Sequence, residues 1–199
     1  AIGMQGGRMA GVPGEDAEGV QTGVDFLRNV NQDHSVKLNG ETVVIGGGNV
    51  AIDVARTAVR AGASKVTMLC LEGANEMPAA KDEVEEAKEE GIVVNNGWGP
   101  KEVLTENGHV SAVVFKKCTQ VKDADGRFNP QYDENETITI PCENLLLSIG
   151  QSVQWGDLLK GTKVELNRNG TAQADPLTLQ TAEPDIFVGG DVFTGARFA

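Results

Sequence analysis

The stretch VVIGGGNVAIDVARTAVRAGASKVTMLCLE, residues 43–72, limits what this chain can become more than any other part of it. It reads as an apolar strand, a run of glycines, a helix built on small residues and a second apolar strand. A strand, a tight turn, a helix and a further strand predict a βαβ unit, and with it a parallel sheet covered by helices. Gly46, Gly48 and Ala51 satisfy G-x-G-x-x-A directly after the strand and directly before the helix, the setting in which the pattern points to a dinucleotide. The first glycine permits the turn, the second lets a pyrophosphate approach the backbone, and the small Ala51 lets helix and strand pack closely. Unpaired N–H groups at the helix start then face the phosphates, helped by the helix dipole. The expected pyrophosphate cradle is Gly46, Gly47, Gly48, Asn49, Val50 and Ala51, with Asn49 opening and capping the helix beside the cofactor path.

The second strand ends in Leu71-Glu72 rather than in a cation. In dinucleotide sites an acid about twenty residues past the glycine motif hydrogen-bonds the adenine ribose hydroxyls. Glu72 stands in that place. A 2′-phosphate there would meet a carboxylate, and at ~4 Å with an effective dielectric of ~20 each pair of unit charges repels by ~4 kcal/mol. At ~1.4 kcal/mol per tenfold, that predicts NAD(H) over NADP(H) by two orders of magnitude or more. Lys65 and Lys81 are the cations with which a phosphate could be met instead.

Around this unit the chain reads as follows. Residues 4–19, rich in Gly and Pro, are loop, and VQTGVDFLRNV places Val20, Val24, Leu27 and Val30 at helical spacing. Residues 80–90 form a helix with Val84 and Ala87 inward and its carboxylates on a solvated face. Arg56 and Arg60 are spaced to exchange charge contacts with Asp53 on their own helix. GIVVNN supplies a third strand. KEVLTENGHVSAVVFKKCTQV is two strands about an Asn107-Gly108 hairpin turn, DADGRFNPQYDENE a polar excursion, TITIP a strand that pairs back, and ENLLLSIG a buried strand. The tail has an extended KVELN, an Asn169-Gly170 turn, and PDIFVGGDVFTG, a strand ending in glycines and an acid.

The formal charge of −12 disfavours nucleic-acid phosphates and anionic membranes, and no window of eighteen apolar residues offers a membrane span. A cytoplasmic setting is expected. Cys70, Cys118 and Cys142 lie far apart without a CxxC pair, so inert buried thiols are expected rather than a disulfide, redox dithiol or metal site. His34 and His109 are expected on the surface. Both ends read as cuts in something longer: the chain opens on AIG as if leaving a strand and closes on Arg197-Phe198-Ala199 after a glycine-rich turn.

The same residues, followed in order by EMPAAKDEVEEAKEEGI, FKKC, GRFNP, LLLSIGQ and DIFVGGDVFTG, resemble the small, flavin-carrying subunit of glutamate synthase. They are also similar to the amino-terminal flavin half of dihydropyrimidine dehydrogenase, within the pyridine nucleotide-disulfide oxidoreductase superfamily. The resemblance spans essentially all 199 residues. It implies an α/β fold: a Rossmann-like three-layer NAD(P)-binding domain with an antiparallel β-meander, plus partial FAD-domain segments. Residues 1–38 would be an FAD-domain remnant and linker, 39–150 the NAD(P)-binding domain and 151–199 the returning FAD-domain segment. Ala1-Ile2-Gly3 would leave the flavin domain and Ser148-Ile149-Gly150 return to it.

In DIFVGGD the resemblance assigns Asp191 to the ribityl hydroxyls of FAD and Gly190 to the flavin pyrophosphate, with Asn49 and Gly150 on the nicotinamide side. It implies hydride passage between nicotinamide and FAD, no side chain acting as acid or base, and onward electron transfer to iron–sulfur clusters or a partner subunit. The first flavin glycine motif and the cysteines for those clusters would precede residue 1. Family members using NADPH carry basic residues where Leu71 and Glu72 stand, so the family and the local charge disagree about the coenzyme; the local charge is preferred. A non-catalytic NAD(H)-binding module is the alternative, and flavin bleached by NADH in the full-length protein would separate the two.

Overall fold

The structure is a computed structural model and describes residues 2–196; Ala1 of the expected opening strand end and the closing Arg197-Phe198-Ala199 lie outside the described residues. The chain forms two compact units, one of residues 8–149 and one in which 2–7 join 150–196. Strand β1 (Gly6–Gly7) belongs to the second unit. The first unit then runs β2 (Val20–Thr22), α1 (Gly23–Gln32), β3 (Glu41–Ile45), α2 (Asn49–Arg60), β4 (Lys65–Cys70), α3 (Lys81–Glu89), β5 (Val93–Asn96), β6 (Trp98–Glu106), β7 (His109–Lys122), β8 (Phe128–Pro141) and β9 (Asn144–Leu147).

Its centre is a five-stranded sheet in the order β2-β9-β3-β4-β5, parallel at every pairing. Because side chains alternate along a strand, each inner strand feeds two cores. Val44, Met68 and Leu146 point to the helices, where they meet Phe26, Ile52, Val54, Ala55 and Ala58. Val43, Ile45, Leu69, Leu145 and Leu147 point the other way, onto Val113 and Phe115 of the antiparallel β6-β7-β8 meander. The helix-period and strand-period patterns therefore agree with a three-layer body. The hairpin between β6 and β7 turns at Asn107 and Gly108, both at positive φ (51° and 84°), the conformation an Asn-Gly turn supplies.

Four expectations are corrected. Val20 is not helical: Val20, Gln21 and Thr22 pair in parallel with Leu145, Leu146 and Leu147, and a long-range ladder overrides a local spacing. The helix starts instead at Gly23, where Thr22 Oγ1 accepts from Asp25 N–H, and its anchor is Phe26, with no exposed surface. Burying a Phe contributes about 1.5–3 kcal/mol. The polar excursion at 123–136 shrinks to a turn, because β8 begins at Phe128 and pairs with β7 on one edge only, so alternate residues face water. Arg56 and Arg60 do not pair with Asp53; Arg56 reaches Glu86 of the neighbouring α3, and both reach Glu90 at its C-cap, at 2.7–2.8 Å. Residues 8–38, expected as a remnant and linker, supply an edge strand and a helix to the larger unit.

In the smaller unit β1 pairs antiparallel with β10 (Gln151–Ser152), and a one-turn helix α4 (Asp191–Thr194) follows Gly190. Its core is small: Val153, Ala172, Val188 and Val192. The expected strand in PDIFVGGD reduces to a single bridge between Gln180 and Phe187, since no longer strand runs beside it among the described residues to share a ladder.

Candidate functional site

The carboxyl ends of parallel strands are where open α/β sheets bind ligands. Here the carboxyl end of β3 runs into Gly46-Gly47-Gly48 and then α2. Gly46 has φ 149°, and a Cβ on it would stand 2.4 Å from the Ser148 carbonyl oxygen and 3.0 Å from the Ala51 Cβ. The turn therefore presses on the end of β9 and on the third helical residue, as the first glycine and the small Ala51 were expected to allow. Gly48 is the opposite case. It is the N-cap of α2, in an extended conformation, and a Cβ on it would meet nothing within 4 Å. That open backbone adjoins the first-turn N–H groups of Asn49 and Val50, which have no acceptor inside the helix. An anionic diphosphate fits such a surface in charge and in space.

Asn49 does not cap the helix. No side-chain cap is formed at this terminus, and Asn49 Oδ1 instead accepts from the Ala80 N–H at 2.8 Å. Ala79 N–H donates to the Gly47 carbonyl at 3.0 Å, so the segment 73–80 is tied to the turn at two points. Val50 is half-buried and Ala51 fully buried.

Glu72 comes to the same turn from β4. One of its carboxylate oxygens lies 2.7 Å from the place a Cβ would take on Gly47, and the Cys70 Cβ lies 3.0 Å from that place, so the carboxylate in this position rests directly on the glycine backbone. Lys65, one of the two cations named for a phosphate, stands at the amino end of β4 and pairs with Glu41 at 3.2 Å. Lys81 is exposed at the start of α3.

Leu71 turns to the other face of the sheet. Together with Tyr132 it crowds Gly99: a Cβ there would lie 2.8 Å from Leu71 Cδ2 and 2.5 Å from Tyr132 Cε1. Lys117 Nζ sits 4.7 Å over the Trp98 ring and Lys116 Nζ 4.3 Å over the Tyr132 ring. Nothing local in the sequence around Trp98 or in the FKKC run reveals the stacking.

Gly150 and Asp191 fall in the smaller unit. Gly150 is exposed with φ 119°. Gly190 is exposed with φ 63°, leaves open space around its backbone, and starts α4 at the half-buried Asp191. An Asp191 carboxylate oxygen lies 3.9 Å from the Cβ position on Gly3, and among the described residues that carboxylate has no hydrogen-bond partner.

The three thiols are free and buried. Burial, with the Glu72 charge adding to it, pushes Cys70 up to about 11, and burial pushes Cys142 up to about 12. Burial also raises Cys118. No cluster of three His, Cys, Asp or Glu able to hold a metal occurs among the described residues, and none of their helices is long and apolar enough to cross a membrane. His34 is exposed, but His109 is half-buried: its ring lies against Gly19, with Nδ1 3.0 Å from the Val110 carbonyl. It helps line an open concavity of about 450 Å³ with Lys37, Asn39, Gly40, Glu143 and Asn144. That concavity lies at the amino ends of the strands, and Glu143 there is already engaged by the Glu41 N–H at 2.6 Å. The glycine turn, at the carboxyl ends, is the stronger candidate.

The chain is 36% identical over 204 residues to the NADP(+)-dependent formate dehydrogenase subunit beta of Moorella thermoacetica, covering 99% of this chain and 28% of that protein. It is 29% identical over 214 residues to the glutamate synthase [NADPH] small chain of Escherichia coli K12, covering 98% of this chain and 45% of that one. The chain thus spans less than half the length of these curated relatives. Among solved structures, Mycobacterium tuberculosis FprA in complex with NADPH superposes with a TM-score of 0.79 at 18% identity, over all of this chain and 58% of that one. Lactococcus lactis thioredoxin reductase gives 0.71 at 22% identity, over 97% and 57%. These two likenesses concern the fold. The sequence itself matches the pyridine nucleotide-disulphide oxidoreductase family over residues 1–199, and with the glycine turn and its carboxylate in place the chain belongs to that family.

Proposed function

We propose that residues 8–149 are the pyridine-nucleotide domain of a flavoprotein oxidoreductase, and that 2–7 with 150–196 are segments of its FAD domain. In this reading Gly46 to Ala51 hold the pyrophosphate and Glu72 accepts from the adenine ribose hydroxyls. Asn49 and Gly150 lie on the nicotinamide side, and Gly190 and Asp191 serve the flavin pyrophosphate and ribityl chain. FAD, when bound, supplies the two-electron acceptor for hydride from the nicotinamide. The chain's own part is to bind and orient, with no side chain as acid or base. Onward transfer to iron–sulfur centres or a partner subunit belongs to the longer protein, in the cytoplasm, where free thiols such as these three persist.

The observation that carries the reading is the Glu72 carboxylate set against Gly47 at the cradle. It supports NAD(H) over NADP(H), although the relatives above carry NADP in their names, because a 2′-phosphate would be brought against a fixed negative charge. Calorimetric titration of the chain with NADH and with NADPH tests it. The expected result is binding of NADH at least tenfold tighter; equal affinity for the two would remove the preference, and binding of neither would remove the dinucleotide reading.

A further inference from the structure

Lys117 is the feature of the larger unit that the reading above leaves unused. Lys117 is half-buried as a residue and forms no ion pair among the described residues, whereas its neighbour Lys116 pairs with Glu134 at 2.7 Å. Asp133, directly across the ladder from Lys117, instead accepts from the Asn135 N–H at 2.9 Å. An ammonium has donors and no acceptor, so one without a carboxylate partner can donate to a ligand that accepts from it. Lys117 lies over the Trp98 ring, and its Nζ is 3.6 Å from the Cβ position on Gly97. Gly97 in turn donates its N–H to the Glu72 carbonyl at 3.1 Å. The ammonium therefore adjoins the segment that presents the ribose-binding carboxylate.

Sheet order says what could come there. Along the carboxyl edge, β9, β3, β4 and β5 follow one another at about 4.8 Å per step. With the diphosphate at the end of β3 and the ribose at the end of β4, the base bonded to that ribose lies at the end of β4 or β5, on one face or the other. On the helix face the turn is covered by 73–80, through the Ala79 and Ala80 hydrogen bonds. On the meander face stand Leu71, Trp98 and Lys117, a largely apolar wall that carries an ammonium. An adenine has flat π faces and unprotonated ring nitrogens, which match an aromatic and aliphatic wall and an ammonium donor.

We propose that Lys117, seated on Trp98, is the adenine-recognising residue of the dinucleotide site, donating to a ring nitrogen of a base held against Trp98 and Leu71. This rests on the dinucleotide reading above and adds to it a determinant contributed by the meander, beyond the glycine turn and Glu72.

ADP-ribose, which has the adenosine and diphosphate but no nicotinamide, is the probe. Lys117→Met keeps the stem on Trp98 and removes the donor. Loss of a hydrogen bond from a charged donor predicts ADP-ribose and NADH affinities lower by about tenfold, restored in large part by Lys117→Arg. ADP-ribose should also change tryptophan emission in the unsubstituted chain, and the change should vanish in Trp98→Phe. That readout holds even if the Lys117 variants fold poorly. Binding with unchanged emission, or an unchanged ADP-ribose affinity in a folded Lys117→Met, overturns the proposal. So does a loss confined to NADPH, which would mean that the ammonium serves a phosphate. Failure of the unsubstituted chain to bind either ligand would instead overturn the dinucleotide reading on which this one rests.

Discussion

A carboxylate oxygen of Glu72 and the α-carbon of Gly47 are in such close approach that a methyl group on residue 47 would lie 2.7 Å from that oxygen. Strand β4 thus delivers its acid to the backbone of the turn that follows β3, the relationship on which the proposed ribose contact rests. Replacing the acid by a cation reverses the local sign. Glu72→Arg is expected to bind NADPH at least tenfold tighter than the unsubstituted chain and NADH more weakly, read by calorimetry. No gain for NADPH would show that residue 72 does not face the 2′ position.

Gly46 and Gly48 separate folding from binding. Gly46→Ala combines φ 149° with a contact of 2.4 Å to the Ser148 carbonyl, and it should destabilise the unit by about 2–3 kcal/mol, seen as a lowered thermal midpoint. Gly48→Ala meets nothing within 4 Å and should cost about 1 kcal/mol at most, as an alanine N-cap. Its methyl group nonetheless occupies the face a diphosphate would use. NADH affinity is expected to fall tenfold or more in a protein that melts almost normally.

How much of this was legible depends on the range of the interaction. The strand, turn and helix at 43–60 announce themselves because their signals are local: apolar period, glycines, small residues at i and i+4. Glu72 was legible too, since chain distance along a βαβ unit nearly fixes position in space. Val20 was not. Its spacing to Val24 and Leu27 suits a helix, and only Leu145, more than a hundred residues on, makes it a strand. Likewise Arg56 has Asp53 within reach on its own helix, but Glu90 offers two contacts across the helix layer. Trp98 and Lys117 meet only through the ladder of β6 and β7, and no pattern in either strand alone announces it.

The Arg56 pairings carry a pH signature. The hydrogen-bonded guanidinium, with Arg60 beside it, holds the Glu90 carboxyl below the usual carboxylate range. A depressed carboxyl stabilises the fold above its unfolded pKa, and that contribution disappears as pH falls through its folded value. Arg56→Met should therefore lower the urea midpoint near pH 7. The gap to the unsubstituted chain should close as pH falls below the depressed Glu90 value, and a gap constant with pH would count against the pair.

The thiols give a simple chemical check. With Cys70 raised to about 11 and Cys142 to about 12, both are protonated and shielded near pH 8. Iodoacetamide at that pH should leave them unmodified in the folded chain and alkylate them in urea, as read by mass spectrometry. Rapid labelling of either in native buffer would show that its burial is not maintained.

The position of β9 has a consequence for how the chain is made. It enters the sheet between β2 and β3 although it is the last of the five strands in the chain, and β2 has no other neighbour among the described residues. As the polypeptide emerges from the ribosome, β3, β4 and β5 can assemble with their helices, while Val20–Thr22 waits unpaired until Leu147 is clear of the exit tunnel. Completion of this sheet is thus a late, long-range event, and the waiting edge is the surface a chaperone would have reason to shield.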